Sequence, residues 1–200
     1  MRATIERKFV APFLWTAGKI FRSVSSGLFV EQSGIKAIKS LMNRNERVVL
    51  VPQYKSFADF FILMYTLAYH GIEMPFCIGN MEDTPHIRLI DTLLKGSGYI
   101  MARRSRDQSM QESYITQALV REILNTDKLL VMFQNDERMK SGRFNQPTVG
   151  DISVEWLMQA YYTTLQRENK NIHLIPVSIN SDRMFEIRNL ASEIVSTQGD

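Results

Sequence analysis

The chain has 200 residues, of which 44% are hydrophobic and 22% are charged, a balance that predicts one globular domain with a sizeable core. Its single cysteine, Cys77, excludes an internal disulfide and a cysteine-based metal cluster, so we expect an intracellular, reducing compartment and no bound metal. The formal net charge of +3, without a recognised nucleic-acid-binding motif, argues against a nucleic-acid partner.

The basic character is concentrated near the N terminus, where apolar side chains such as Trp15 alternate with cations. Three interpretations fit: a basic amphipathic helix at an anionic membrane surface, a helix packed on the domain, or an organelle-targeting presequence. The longest apolar run, residues 60–69, is far shorter than the roughly 20 residues that span a bilayer, so no transmembrane helix is expected. The charged residues among the first 30 are Arg2, Glu6, Arg7, Lys8, Lys19, Arg22.

Beyond this segment, short apolar runs alternate with longer amphipathic runs. This alternation predicts an α/β fold, with a mostly parallel sheet covered by helices on both faces and ligands at the carboxyl ends of its strands. We predict that residues 1–43 form a basic amphipathic helical segment and residues 44–200 the α/β domain. Strands are predicted at 47–51, 75–79, 98–102, 128–133 and 173–179, and helices at 33–42, 56–69, 85–95, 108–124 and 151–167.

Residues 51–60 follow the first predicted strand and read V-P-Q-Y-K-S-F-A-D-F. They resemble the V-P-x-H-x-S-x-x-D-F motif of glycerol-3-phosphate and dihydroxyacetone-phosphate acyltransferases. Asp59 matches the aspartate, but Tyr54 stands where that family has a histidine. The resemblance implies that this histidine takes the proton of the attacking hydroxyl while the aspartate orients its ring. Imidazole titrates near neutral pH and suits this role, whereas a phenol titrates at about pH 10 and does not.

Residues 97–105 read S-G-Y-I-M-A-R-R-S and resemble the S-G-A-F-F-x-R-R-[ST] motif of the same family. The resemblance implies that Arg103 and Arg104 bind the substrate phosphate. A guanidinium suits this role because it offers a planar fork of hydrogen-bond donors. The alternative is a solvated pair of cations in a loop, since charged side chains are mostly exposed.

Two later segments complete the resemblance. Residues 133–143, F-Q-N-D-E-R-M-K-S-G-R, resemble F-x-E-G-x-R-S-R-x-x-K, and residues 174–183, L-I-P-V-S-I-N-S-D-R, resemble L-V-P-I-S-I-S-Y-D-K. Arg138 is kept, which the resemblance implies as a further phosphate-binding residue. Asn135 replaces the glutamate that helps to bind the acceptor, and its amide keeps hydrogen bonding but loses the charge. Asp136 replaces a glycine, which adds a side chain at a tight turn.

The changes fall on the positions that carry chemistry, while the positions that build the fold or bind phosphate are kept. We therefore predict an acyltransferase-like protein without catalytic activity and without a cofactor. Its expected partners are a phospholipid or membrane surface and the subunits of a larger complex. The resemblance implies a peripheral position at a mitochondrial or endoplasmic-reticulum membrane. The alternative is an active acyl-CoA-dependent enzyme in which a cation such as Lys55 lowers the pKa of Tyr54, at a cost of about 4 kcal/mol.

Overall fold

The computed structural model describes residues 5–53, 57–80, 92, 94–102, 110–126, 129–133, 158, 161–162 and 171–180. The ends of the described elements lie within about two residues of the predicted ones, which is the usual uncertainty of an element boundary. The helices predicted at 85–95 and 151–167 lie largely outside the described residues. In chain order the elements are α1 (Arg7–Val24), α2 (Gln32–Asn43), β1 (Arg47–Pro52), α3 (Phe57–Tyr69), β2 (Phe76–Asn80), β3 (Tyr99–Ala102), α4 (Met110–Asn125), β4 (Leu130–Met132) and β5 (Ile172–Val177).

The five strands form one parallel sheet in the order β3-β2-β4-β1-β5. β1 lies inside this sheet, between β4 and β5. A parallel strand that is covered on both faces needs a continuous apolar run. Val48, Val49 and Leu50 supply this run, and each is at most 1% exposed. The predicted α/β fold with a mostly parallel sheet is therefore confirmed.

Two apolar cores cover the opposite faces of the sheet. One core contains Leu50 and receives side chains from α1, α2 and α3. The other contains Val49 and receives α4 through Val120 and Leu124. The connection through α3 runs along the sheet in one direction on one face. The connection through α4 runs in the opposite direction on the other face, so the two crossovers have the same hand. The prediction of helices on both faces is confirmed.

Helix α1 packs against α3 through aromatic side chains. The Phe13 ring stacks on Phe61 with centroids 5.3 Å apart, and the Phe21 ring lies edge-on to Tyr65 at 5.6 Å. The N-terminal segment is thus a helix packed on the domain, which was one of the three interpretations of its sequence. Within the described ranges, no helix is both long enough and apolar enough to cross a bilayer.

The residues before α1 are also tied to the domain, at the turn that leads into β3. Ile5 forms an antiparallel bridge with Ser97, and the backbone N–H of Glu6 donates to the carbonyl of Gly96 over 3.0 Å. Gly98 has a φ of +90°, a backbone conformation that residues other than glycine rarely adopt. The N-terminal helix is therefore anchored both along its length and at its start.

Candidate functional site

Asp59 lies in the first turn of α3, just beyond the carboxyl end of β1. Its side chain is only 4% exposed. An acidic side chain is favoured at this end of a helix, because the first backbone N–H groups and the helix dipole present positive partial charge there. The aspartate of the first motif is thus buried at the sheet edge where ligands of parallel α/β folds bind, called here the ligand edge.

Phe60, the neighbour of Asp59, joins three of the motif segments in one aromatic cluster. Its ring centroid lies 5.0 Å from that of Tyr99 in β3 and 6.4 Å from that of Phe133, which follows β4. It also lies 5.8 Å from Phe13 of α1. Aromatic pairs at these distances stabilise a core beyond the effect of area burial alone. The cluster therefore fixes the start of α3 against the strands that lead into the second and third motifs.

The strands that precede the motif residues in the chain all end at one edge of the sheet. β3 ends at Ala102, which pairs with Asn80 and directly precedes Arg103 in the chain. β4 ends at Met132, just before the third motif, and β5 ends at Val177 within the fourth. Because all five strands are parallel, these ends lie on the same side of the sheet as the end of β1.

Asp59 is the one predicted site residue that falls within the described ranges. The others are outside them, so their contacts with each other and with a ligand stay predictions. What the structure gives for them is the position of the strand ends that precede them in the chain. These residues are Tyr54, Arg103, Arg104, Asn135, Asp136, Arg138.

The described histidines lie at the opposite edge of the sheet from Asp59. His173 pairs with Val48 near the start of β1, and its Nε2 lies 3.5 Å from a carboxylate oxygen of Glu46. His70 follows the last residue of α3, eleven residues after Asp59, which corresponds to roughly 16 Å along a helix. Neither imidazole is placed to act beside Asp59. His86 lies outside the described residues.

A cavity of about 270 Å³ lies one helical turn along α3 from Asp59. Ile62 and Leu63, which line it, are three and four residues after Asp59 and so share a helix face with it. Side chains of α2, β1 and β5 complete a largely apolar wall. The lining includes Ile35 and Ile38 of α2. Such a cavity suits an apolar ligand or an apolar part of one.

Polar residues line the cavity at two places. Ser178 and Asn180 line it just past the carboxyl end of β5, at the ligand edge, and Glu31 lines it just before α2. Thr66 also lines it, but its hydroxyl donates to the backbone carbonyl of Ile62 over 2.7 Å. Sequence reasoning missed this cavity, because its walls come from segments far apart in the chain. The one available signal was the apolar run at residues 28–30 before α2.

Comparison with known proteins supports the family resemblance of the motifs. The family model described as Acyltransferase matches residues 30–180, which span β1, α3 and the strand ends described above. The dihydroxyacetone phosphate acyltransferase of Oryctolagus cuniculus is 26% identical over 184 residues, covering 92% of this chain and 26% of the relative. The human protein of the same name is 24% identical over 173 residues, covering 86% of this chain and 24% of the relative.

A second group of relatives carries a different name. The mitochondrial glycerol-3-phosphate acyltransferase 1 of Sus scrofa is 25% identical over 193 residues, covering 93% of this chain and 22% of the relative. The chain thus spans about a quarter of the length of the curated relatives that it matches. The family match covers well over half of this chain, and the ends of the parallel strands that precede the motif residues lie at one edge of the sheet. The chain belongs to the acyltransferase family.

Proposed function

We propose that this chain is an acyltransferase-like protein that binds lipid phosphate but does not transfer acyl groups. In this proposal it acts as an accessory subunit of a membrane-associated complex, at the mitochondrial or endoplasmic-reticulum membrane. The observation that carries the proposal is the setting of Asp59. The aspartate is buried at the ligand edge of the sheet, while Tyr54 replaces the histidine five residues before it, and the described histidines lie at the other edge.

The missing imidazole removes the step on which acyl transfer to an alcohol depends. Attack on a thioester carbonyl needs a group that accepts the hydroxyl proton, and a general base contributes about 10²- to 10⁴-fold to the rate. A protonated phenol at Tyr54 accepts no proton at neutral pH. The replacement of a glutamate by Asn135 also removes a charge that would hold the acceptor. We expect the two losses to leave binding without turnover.

The retained features suit a ligand with a phosphate group and an apolar chain. β3 leads directly into Arg103 and Arg104, two guanidinium groups suited to phosphate. The cavity beside α3 begins one turn from Asp59 and offers apolar walls. Relatives are named for dihydroxyacetone phosphate and glycerol 3-phosphate, which are both phosphorylated three-carbon units. An acylated three-carbon phosphate combines these two requirements.

Calorimetry with 1-acyl-glycerol 3-phosphate, glycerol 3-phosphate and a free fatty acid tests this proposal. We expect the acylated phosphate to bind more tightly than either part alone. Arg103→Gln should weaken that binding by about tenfold, since one charge-assisted hydrogen bond is lost. Arg121→Gln, on the exposed surface of α4, is the matched control and should change nothing. Equal binding by the Arg103→Gln variant, or no binding by the unaltered protein, would contradict the proposal.

A second function is an active acyltransferase with an altered base. The buried position of Asp59 favours it, because a carboxylate kept at the ligand edge can still orient a neighbouring group. In this case a nearby cation lowers the pKa of Tyr54 so that its phenolate accepts the proton. Turnover would then depend on the hydroxyl of Tyr54 and would rise with pH as the phenol ionises. Measurement of acyl transfer across a pH series separates the two functions.

A further inference from the structure

We propose that α1 and the loop after it form a docking surface for an anionic phospholipid bilayer. The surface, called here the basic face, consists of Trp15, Lys19, Arg22 and Phe29. None of these residues is among the predicted site residues. The inference rests on the membrane association proposed above, but it does not depend on whether the chain transfers acyl groups.

The inner face of α1 is already used for packing. Phe13 and Ala17 are buried, and Phe21 contacts Tyr65 of α3, so the helix is held to the domain by residues four apart. Gly18 also faces this contact, because a Cβ there would lie 3.0 Å from the Tyr65 ring. Trp15, Lys19 and Arg22 belong to the other side of the helix and are not needed to hold α1 in place.

The basic face exposes aromatic side chains to water. Trp15 is 65% exposed, and Phe29, in the loop between α1 and α2, is 97% exposed. A single exposed apolar residue is ordinary, but here cations accompany the aromatic rings. Lys19 and Arg22 follow Trp15 at helical spacings of four and seven residues, and the Lys19 Nζ lies 5.6 Å from the Trp15 ring centroid. Tryptophan with flanking cations is the composition that the headgroup zone of a bilayer favours.

The charge of the surrounding segment supports the same partner. Residues 5–45 contain two acidic residues, Glu6 and Glu31, against seven basic ones, whereas the whole chain has a formal net charge of +3. The rest of the chain is therefore net negative. A second copy of the chain, related by a two-fold axis, would bring the same cations together and be repelled. An anionic membrane surface attracts this segment instead. The seven are Arg7, Lys8, Lys19, Arg22, Lys36, Lys39, Arg44.

The basic face also adjoins the cavity. Leu28 and Phe29 line the cavity, and so do Ser178 and Asn180, which follow the carboxyl end of β5. Leu28 is itself 44% exposed. A bilayer at the basic face therefore lies next to Phe29, which lines the apolar cavity beside α3.

Sedimentation with phospholipid vesicles tests the inference. We expect the protein to bind vesicles in which phosphatidylserine replaces part of the phosphatidylcholine, and to bind pure phosphatidylcholine vesicles much less. Added salt should weaken the binding, since exposed charges are screened. The double variant Lys19→Gln/Arg22→Gln should bind more weakly by about fivefold for each cation removed. The double variant Trp15→Ala/Phe29→Ser should also lose binding, because both rings leave water at the membrane surface.

A matched pair of substitutions lies on the other side of the sheet. Tyr114 and Arg121 are exposed on α4, so Tyr114→Ala/Arg121→Gln removes one aromatic ring and one cation from a different surface. We expect this variant to bind vesicles like the unaltered protein. Equal binding by all three variants, or absence of binding to anionic vesicles, would overturn the inference. Self-association that disappears in the Trp15→Ala/Phe29→Ser variant would also overturn it, because the face would then be an interface between copies.

Discussion

At the scale of single residues, the glycine of the second motif has a structural reason of its own. Gly98 has a φ of +90°, and an added Cβ would lie 2.8 Å from the Ile5 Cγ1 and 3.2 Å from the Pro75 carbonyl oxygen. The same turn accepts the bridge from Ile5 to Ser97. The motif glycine therefore serves the attachment of the N-terminal segment as well as the turn into β3.

Replacement of Gly98 by alanine should destabilise the protein. We expect Gly98→Ala to lower the free energy of unfolding by about 2 kcal/mol or more, because the left-handed conformation alone costs about 1–2 kcal/mol and the Cβ also collides with Ile5. Gly34→Ala is the matched control, since an added Cβ there meets nothing within 4 Å. In helix α2 that change should be stabilising by up to about 1 kcal/mol. Chemical denaturation of both variants measures the contrast, and equal stabilities would contradict it.

At the scale of elements, β1 and α4 are joined by a buried arginine. Arg47, the first residue of β1, is 1% exposed, and its Nε donates to the backbone carbonyl of Leu124 over 2.6 Å. That carbonyl lies in the last turn of α4, where backbone oxygens lack partners within the helix and the helix dipole favours a cation. The Arg47 guanidinium thus caps the last turn of α4 and fixes this helix against β1.

Loss of this arginine should be costly. We expect Arg47→Ala to reduce the free energy of unfolding by about 3 kcal/mol, because it leaves a buried carbonyl without its donor and opens space beside α4. Arg121→Ala, on the exposed surface of the same helix, should stay within about 0.5 kcal/mol of the unaltered protein. Urea denaturation of the two variants makes the comparison. A loss of stability for Arg47→Ala as small as that for Arg121→Ala would contradict this role.

The contact between α3 and the cavity gives a second prediction at this scale. Ile62 lines the cavity and is partly buried, so Ile62→Trp places a large ring in the apolar space. We expect this variant to weaken binding of 1-acyl-glycerol 3-phosphate by tenfold or more while leaving glycerol 3-phosphate binding unchanged. Ile115→Trp, at an exposed position of α4, is the control for the ring itself. Calorimetry that shows full binding of the acylated ligand by Ile62→Trp would exclude the cavity as its chain site.

At the scale of the whole molecule, the sequence was informative where local pattern decides the structure. The V-V-L run of β1 predicts a strand covered on both faces, and all three residues are buried in the structure. The order of strands and helices could also be predicted, because strands that alternate with helices form a parallel sheet with its ligand edge at the carboxyl ends of the strands. The motif puts Asp59 shortly after β1 in the chain, and the structure has it buried in the first turn of α3.

Other features could not be predicted from the sequence, because they depend on contacts between residues that are far apart in the chain. Arg47 is a cation, and cations are mostly exposed, so its burial depends on a carbonyl 77 residues away. The cavity is walled by α2, α3 and β5, which sequence pattern does not bring together. The basic composition of the N terminus left three interpretations open, and only the packing of Phe13 and Phe21 on α3 showed which of its faces is turned inward.

We propose that the fold keeps its ligand edge but lacks acyl transfer, because Tyr54 stands at the motif position of the proton-accepting histidine. Steady-state release of coenzyme A from acyl-CoA, measured with glycerol 3-phosphate or dihydroxyacetone phosphate as acceptor, tests it most directly. We predict no release above the rate without protein, and the same result for Tyr54→Phe. Steady turnover by the unaltered protein that Tyr54→Phe abolishes would contradict the claim and would identify the phenol as the base.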